Sequence, residues 1–202
     1  MSLGTVRTAV LACHPSTPCP AVRRLAVAVR RSAGKLVLNY RLEGDIGALD
    51  IPPAGPAHRA DGLWQATCCE LFIKLPSPHG GGLGWGRSTP PSMFPEEEGY
   101  LEFNFSPSTA WAAYAFTGYR QGMAAVDLVE PVNIAVLRDA DWLELAASIN
   151  LDGLPLAEED TLLVGLSAVV QAQRGGLSYW AMAHPEGKPD FHHPDSFMFK
   201  LA

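Results

Sequence analysis

The chain has 202 residues, of which 48% are hydrophobic and 18% are charged, so it is too apolar for a disordered protein. This length is sufficient for one domain, spanning residues 1–202, with a full hydrophobic core. Fifteen Lys and Arg residues against 21 Asp and Glu residues give a net charge of −6. That balance argues against nucleic-acid binding, which needs a basic face.

Short runs in which apolar and polar residues alternate follow one another along the chain, bounded by Gly, Pro, Asp or Asn. A period of two is typical of half-buried β-strands. Residues 31–35 are predicted to be the turn of a hairpin that joins residues 25–30 to residues 36–42. The later runs cover residues 68–75, 100–106, 132–136, 143–149, 162–170 and 197–201. About ten antiparallel strands at this spacing predict an all-β sandwich.

Residues 76–99 interrupt the strand pattern with runs of glycine, proline and glutamate. Such a composition buries little apolar surface, so we predict a surface insertion between two paired strands rather than a second domain. Trp85 and Phe94 within it could pin the insertion to the body of the protein or to a ligand.

The cysteines and the apolar runs bear on the cellular environment. Cys13, Cys19, Cys68 and Cys69 lack a Cys-x-x-Cys spacing, which favours reduced thiols over a disulfide framework. No apolar run approaches the roughly 20 residues that cross a membrane. A secretory segment is not recognisable either. We therefore expect a cytoplasmic protein that has no membrane partner.

A polar sheet face is predicted where residues 68–75 pair with residues 100–106. Glu70 then shares a face with Glu102 and Asn104, opposite the apolar residues of both strands. A carboxylate in the middle of an apolar strand is costly unless it is paired or solvated. The two carboxylates could perform acid–base chemistry, coordinate a hard cation, accept sugar hydroxyls, or simply belong to a solvated face.

Trp111 and Arg120 follow this predicted face along the chain. Trp111 opens a strand after a turn, where an aromatic ring packs in the core or, beside charged groups, stacks on a sugar ring. Arg120 has five donors in a fixed geometry and is expected to pair with one of the two carboxylates.

The densest polar cluster spans residues 178–195. It combines Tyr179 and Trp180 with Asp190 and three histidines. The segment could be a loop whose polar side chains cap turns, or a loop that lines a ligand site.

The histidines of this loop also raise the possibility of metal or haem binding. His184 with His192 or His193 and with Asp190 could supply metal ligands. His192 and His193 are adjacent, however, and their side chains diverge in an extended chain. Met182 with His184 could ligate haem, although no Cys-x-x-Cys-His motif is present.

Five segments together resemble DOMON-like domains related to the family-nine carbohydrate-binding modules, in the bacterial MurB-like DOMON branch. They cover residues 63–73, 100–107, 179–181, 184–185 and 188–192. The resemblance implies an immunoglobulin-like β-sandwich of about eleven antiparallel strands. The wider superfamily binds sugars or haem, and some members carry structural calcium. Trp64 and Glu70 fall where sugar-binding relatives have a tryptophan and an acidic residue.

These observations predict a non-catalytic domain that binds a sugar-like or other small polar ligand on a sheet face, with no cofactor required by the sequence itself. The predicted ligand-binding residues are Trp64, Glu70, Glu102, Asn104, Trp111, Arg120, Tyr179, Trp180 and Asp190. One alternative is a metal- or haem-dependent redox or hydrolytic protein that uses His184, His192 and His193. A second alternative is a protein-interaction module that pairs through exposed sheet edges.

Overall fold

The structure, a computed structural model, describes residues 5–32, 34–75, 99–157 and 161–202. Within these ranges the chain forms twelve β-strands, three 3₁₀ turns and no α-helix. The strands are β1 Val6–Cys13, β2 Val22–Ser32, β3 Lys35–Gly44, β4 Cys68–Lys74, β5 Tyr100–Phe105, β6 Trp111–Phe116, β7 Ala124–Ala125, β8 Asn133–Arg138, β9 Trp142–Asn150, β10 Leu162–Gln171, β11 Leu177–Ala181 and β12 Phe199–Leu201. The turns are Ile46–Ala48, Leu63–Gln65 and Pro194–Ser196. The predicted all-β class is confirmed, whereas the insertion with Trp85 and Phe94 lies outside the described residues, apart from Gly99.

The described strands form one curled antiparallel sheet in the order β7-β6-β5-β4-β10-β11-β1-β2-β3-β9-β8, with β12 paired to β10. Strand β1 joins the half of the sheet that ends in β11 to the half that begins with β2. Its residues from Val6 to Leu11 pair with β2, while Ala12 and Cys13 pair with β11. The sheet is therefore continuous and shaped like a half-barrel. The predicted sandwich of two separate sheets is not confirmed.

The inner face of the curled sheet carries the main hydrophobic core. Strand β3 shows why: Leu36, Leu38, Tyr40 and Leu42 point inward and are buried, while the residues between them are partly exposed. The hydroxyl of Tyr40 donates to the carbonyl oxygen of Glu70 at 2.6 Å, which links β3 to β4 across the core. Burial of these apolar side chains is the main stabilising contribution to the fold.

The predicted hairpin is confirmed, with β2 and β3 paired from Arg24 and Glu43 to Ser32 and Lys35. Gly34 within its turn has a φ of 67°, a left-handed conformation that glycine adopts without a steric penalty.

The outer face of β4, β5, β6, β10 and β11 is covered as well. All six residues of β5 and all six of β6 are buried. A second apolar cluster, which includes Phe72 and Phe191, packs on this outer face beneath partly buried Trp64 and Phe197. Loops therefore cover a sheet face that has polar side chains at its centre. The candidate site lies between these loops and the sheet. No helix in the described ranges is long and apolar enough to cross a membrane.

Candidate functional site

A cavity of about 700 Å³ opens on the outer face of the sheet, between the strands and the loops that cover them. Its lining residues come from the turn at Trp64, strands β4, β5, β6, β10 and β11, and two later loops. They are Trp64, Glu70, Glu102, Phe116, Arg120, Met123, Val169, Tyr179, Lys188, Pro189, Phe191 and His192. We call this space the outer-face cavity.

The pairing of β4 with β5 places two carboxyl groups on the floor of the outer-face cavity. Glu70 pairs with Asn104, and Phe72 pairs with Glu102. Side chains at such positions share one sheet face, so Glu70 and Glu102 are diagonal neighbours. The alternation in the sequence had predicted this shared face.

Both carboxyl groups are removed from water, since Glu70 is 3% exposed and Glu102 is 5% exposed. The Ser167 hydroxyl donates to Glu70 Oε2 at 3.2 Å, and the Asn104 amide donates to Glu102 Oε1 at 2.6 Å. Burial, together with the neighbouring charge of Glu102, raises the pKa of Glu70 well above its ordinary value. Burial also raises the pKa of Glu102, although the bond from Asn104 opposes the shift. The floor therefore binds protons more tightly than exposed carboxylates do.

A chain of hydrogen bonds runs from the cavity rim to His192, which faces Glu102. The backbone N–H of Arg120 donates to the Tyr100 hydroxyl at 3.2 Å, and this hydroxyl lies 2.7 Å from His192 Nδ1. Burial and the charge of Arg120 lower the pKa of His192 to about 4, so its imidazole is neutral at pH 7. Burial raises the pKa of Tyr100 to about 12, which keeps its hydroxyl protonated and able to donate to Nδ1. His192 Nε2 then carries the ring proton and faces Glu102 Oε2 at 3.9 Å.

Asp190 ties together two loops at the rim of the outer-face cavity. The Tyr119 hydroxyl donates to Asp190 Oδ2 at 2.5 Å, and the Arg120 guanidinium donates to Oδ1 at 2.8 Å. Oδ1 also accepts the backbone N–H of His192 at 3.1 Å. Burial works against ionisation of Asp190, but the bonds from Tyr119 and Arg120 outweigh it and hold the pKa below its usual value. Arg120 is thus bonded to Asp190 rather than to either floor carboxyl group.

Aromatic side chains form the walls of the outer-face cavity. Trp64 and Tyr179 are half-buried, whereas Phe191 is buried. The Trp64 ring meets Tyr114 edge-on at a centroid distance of 6.0 Å, and Tyr179 packs against Phe191 at 5.9 Å. These contacts hold the two half-buried rings in place while part of each ring stays open to the cavity.

The structure does not bring every predicted ligand-binding residue to the outer-face cavity. Trp111 and Trp180 are buried in the main core on the opposite face of the sheet. The Trp180 indole N–H donates to the Ser178 hydroxyl at 3.0 Å. Asn104 is fully buried and reaches the cavity only through its bond to Glu102. Trp64, Glu70, Glu102, Arg120 and Tyr179 line the cavity, and Asp190 lies at its rim.

The three histidines proposed as metal ligands point to different neighbours. His184 Nε2 lies 2.8 Å from the carbonyl oxygen of Ala12, and His193 Nδ1 accepts the backbone N–H of Asp195 at 3.3 Å. His192 alone faces the outer-face cavity. Among residues 5–32, 34–75, 99–157 and 161–202, no three His, Cys, Asp or Glu side chains are grouped to hold a metal ion. Nε2, one of the two His184 nitrogens that could ligate haem together with Met182, is engaged by Ala12, whereas Nδ1 is buried and has no hydrogen-bond partner among the described residues.

Sequence reasoning missed several residues of the site. Ser167 bonds to Glu70, and its signal was a polar residue inside the apolar run of β10. Tyr100 bonds to His192, but in the sequence it cannot be distinguished from an aromatic residue that merely packs in a strand. Lys188 and Phe191 belong to the polar segment 178–195, whose sequence does not show which side chains face the cavity.

Comparisons with known proteins show a similar fold among solved structures but do not assign the chain to a family. No protein-family model matches the chain, and no curated protein matches it. Among solved structures, the chain is similar to one described as a "putative carbohydrate-binding protein" from Bacteroides uniformis ATCC 8492, with a TM-score of 0.61 and 11% sequence identity. The similarity covers 96% of this chain and 84% of that one. At this identity the likeness shows a shared fold.

Proposed function

We propose that this protein is a non-catalytic binding protein that takes a sugar or a similar small polar ligand in the outer-face cavity. The observation that supports the proposal is the meeting of the half-buried rings of Trp64 and Tyr179 with the buried carboxyl groups of Glu70 and Glu102. A volume of about 700 Å³ is within the usual range of small-molecule sites.

The two kinds of side chain suit the two kinds of surface on a sugar. A sugar ring has apolar C–H faces, which stack on aromatic rings, and a rim of hydroxyl groups. The carboxyl groups of Glu70 and Glu102 can accept hydrogen bonds from hydroxyl groups at this rim. Lys188 and Arg120 line the cavity and can donate to the oxygens that remain.

The fold likeness is compatible with this proposal, because the similar structure is described as a "putative carbohydrate-binding protein". We also propose kinship with the DOMON-like domains and the family-nine carbohydrate-binding modules. Two of the motif positions behind that resemblance, Trp64 and Glu70, both line the outer-face cavity, which supports the idea.

Isothermal titration against a panel of soluble sugars tests the proposed function. We expect at least one sugar to bind the native protein and to bind Trp64→Ala about tenfold or more weakly, since an aromatic wall is lost. The matched control is Trp142→Ala, which removes a half-buried indole from β9, where it packs against Arg41. Equal loss in both variants, or no heat from any sugar, would contradict the proposal.

A further inference from the structure

Glu70 lines the outer-face cavity, and one of its two carboxyl oxygens has no hydrogen-bond partner in the described residues. Its side chain is 3% exposed and lines the cavity. In the described part of the chain its single side-chain hydrogen bond comes from Ser167 to Oε2. Oε1 therefore has no hydrogen-bond donor there. Glu70 Oε1 is not among the fully buried orphan atoms of the described residues, which are Asn39 Oδ1 and His184 Nδ1, so it keeps contact with the open cavity. A ligand donor in the cavity could therefore bond to it.

No cationic side chain of the described residues is bonded to the floor, although the charge of Arg120 acts on Glu102 and lowers its pKa. Arg120 is bonded to Asp190 at 2.8 Å, and Lys188 is exposed at the rim. The basic side chain that faces Glu102 is His192, at 3.9 Å, and burial lowers the pKa of this histidine to about 4. No described cationic side chain lies within ion-pair distance of Glu70. The floor thus offers two buried carboxyl groups and no bonded cation.

The walls of the cavity favour the same kind of ligand as its floor. An aromatic ring carries negative charge density on its face and attracts a cation placed over it, most strongly in a desolvated site. Trp64 and Tyr179 expose such rings to the cavity. An ammonium group has three N–H donors, which suit carboxylate oxygens such as Glu70 Oε1. Beside a neutral hydroxyl group Glu70, whose pKa burial raises, can lose its charge by binding a proton, whereas an ammonium group stabilises the ionised carboxylate.

We infer, building on the proposed function, that the ligand carries a protonated amino group: an amino sugar binds the outer-face cavity in preference to the corresponding neutral sugar. The ammonium group bonds to Glu70 Oε1 and lies between the floor carboxyl groups and the aromatic walls.

A bare metal ion suits the floor less well. Calcium takes six to eight oxygen ligands, and magnesium requires near-octahedral coordination. In the described residues Glu70 and Glu102 are joined by no third acidic side chain that would complete a metal site. An organic ammonium ion needs only a few acceptors and also uses the rings.

Calorimetric titration with three matched pairs of sugars tests the inference. The pairs are glucosamine with glucose, galactosamine with galactose and mannosamine with mannose, at about pH 6.5, where the amine is protonated. We expect at least one amino sugar to bind about tenfold or more tightly than its neutral partner. Its N-acetylated form, which has no charge, should lose this advantage. Calcium chloride serves as a separate probe for a metal site.

Two variants link the preference to the floor of the cavity. Glu70→Gln keeps the size of the side chain and removes its charge, so the affinity for the amino sugar should fall to about that of the neutral sugar. Glu130→Gln makes the same change at an exposed loop position and should leave the preference intact. Retention of the fold by both variants is checked by circular dichroism.

The outcomes separate this inference from the proposed function. Equal or tighter binding of the neutral sugars, or calcium binding without any preference for amines, would overturn the inference while leaving small-ligand binding in place. An amine preference that persists in Glu70→Gln would overturn the assigned contact. Failure of every sugar to bind would overturn both the inference and the proposed function.

Discussion

Glu70 and Glu102 lie on the outer face of a sheet whose neighbouring strands are almost entirely apolar. Each carboxyl group receives one hydrogen bond from a side chain, from Ser167 and Asn104 respectively. One such bond does not replace the water that a charged carboxylate loses on burial. The fold therefore keeps two groups that cost stability, which is typical of residues retained for binding rather than for packing.

The charge on Glu70 should make stability depend on pH. Burial raises the pKa of Glu70 above the value that it has in the unfolded chain, so its stabilising proton is fully present at low pH and is lost as the pH rises through the raised pKa. Glu70→Gln mimics the protonated form at every pH. We expect this variant to be more stable than the native protein at about pH 8, with a difference that shrinks toward about pH 4.

Thermal unfolding at several pH values measures this effect. The melting temperature of Glu70→Gln should exceed that of the native protein at the higher pH, and in a chain of this size each kcal/mol of added stability raises it by about 2–4 °C. Glu130→Gln is the control and should show no pH-dependent difference. A Glu70→Gln protein that is less stable than the native protein at every pH would show that the carboxylate is structurally required.

Local sequence assigns a side chain to one face of the sheet only where polar and apolar residues alternate, as the two glutamates and the tryptophans show. Alternation correctly predicted that Glu70 and Glu102 share a face, because polar residues interrupt apolar strands there. Trp111 opens β6, and all six residues of that strand are buried. A strand buried on both faces carries no polar marker, so its residues could not be assigned to one face or the other. The structure places Trp111 and Trp180 in the main core.

At the scale of elements, β3 and β4 are joined by a single polar contact across the core. The Tyr40 hydroxyl, on a side chain that is 1% exposed, donates to the carbonyl oxygen of Glu70. Tyr40→Phe removes this bond and leaves a buried acceptor. We expect a loss of about 1 kcal/mol in the free energy of unfolding, measured by chemical denaturation.

Tyr119→Phe is the matched comparison for that variant. It removes a hydroxyl that bonds to Asp190 at the exposed rim, where water can take its place. We therefore expect a smaller loss of stability than in Tyr40→Phe. A larger loss in Tyr119→Phe would show that the rim contributes more to the fold than the contact across the core.

Element positions were predicted well where neighbouring strands form hairpins, as in β2 with β3 and in β4 with β5. Strand β1 was not predicted, because apolar and polar residues do not alternate regularly in its sequence. Two of its valines, Val6 and Val10, are even exposed. Its importance comes from pairing with both β2 and β11, which are far apart in sequence. Long-range pairing of this kind is not encoded in local alternation.

At the scale of the whole molecule, strand β1 changes the architecture. Strong alternation predicts half-buried strands, and a sandwich of two sheets is one arrangement that satisfies it. A single sheet that curls around its own inner face buries the same side chains without two separate sheets. The covering of its outer face by the Trp64 turn and by the loops near Arg120 and Asp190 then produces the cavity. Those loops come from distant parts of the chain, so their meeting could not be predicted from any one segment.

The most direct test of a ligand in the outer-face cavity uses the indole N–H signals of the five tryptophans in a nitrogen-15 NMR spectrum. Trp64→Phe identifies the Trp64 signal, and whichever of glucosamine, galactosamine and mannosamine binds most tightly in calorimetry is then titrated into the native protein. We predict that the Trp64 signal shifts in a saturable manner, while the signals of Trp111 and Trp180 in the main core and of Trp142 on β9 stay in place. Saturating shifts confined to Trp142, or an unmoved Trp64 signal in a titration that calorimetry shows to reach saturation, would contradict binding at this cavity.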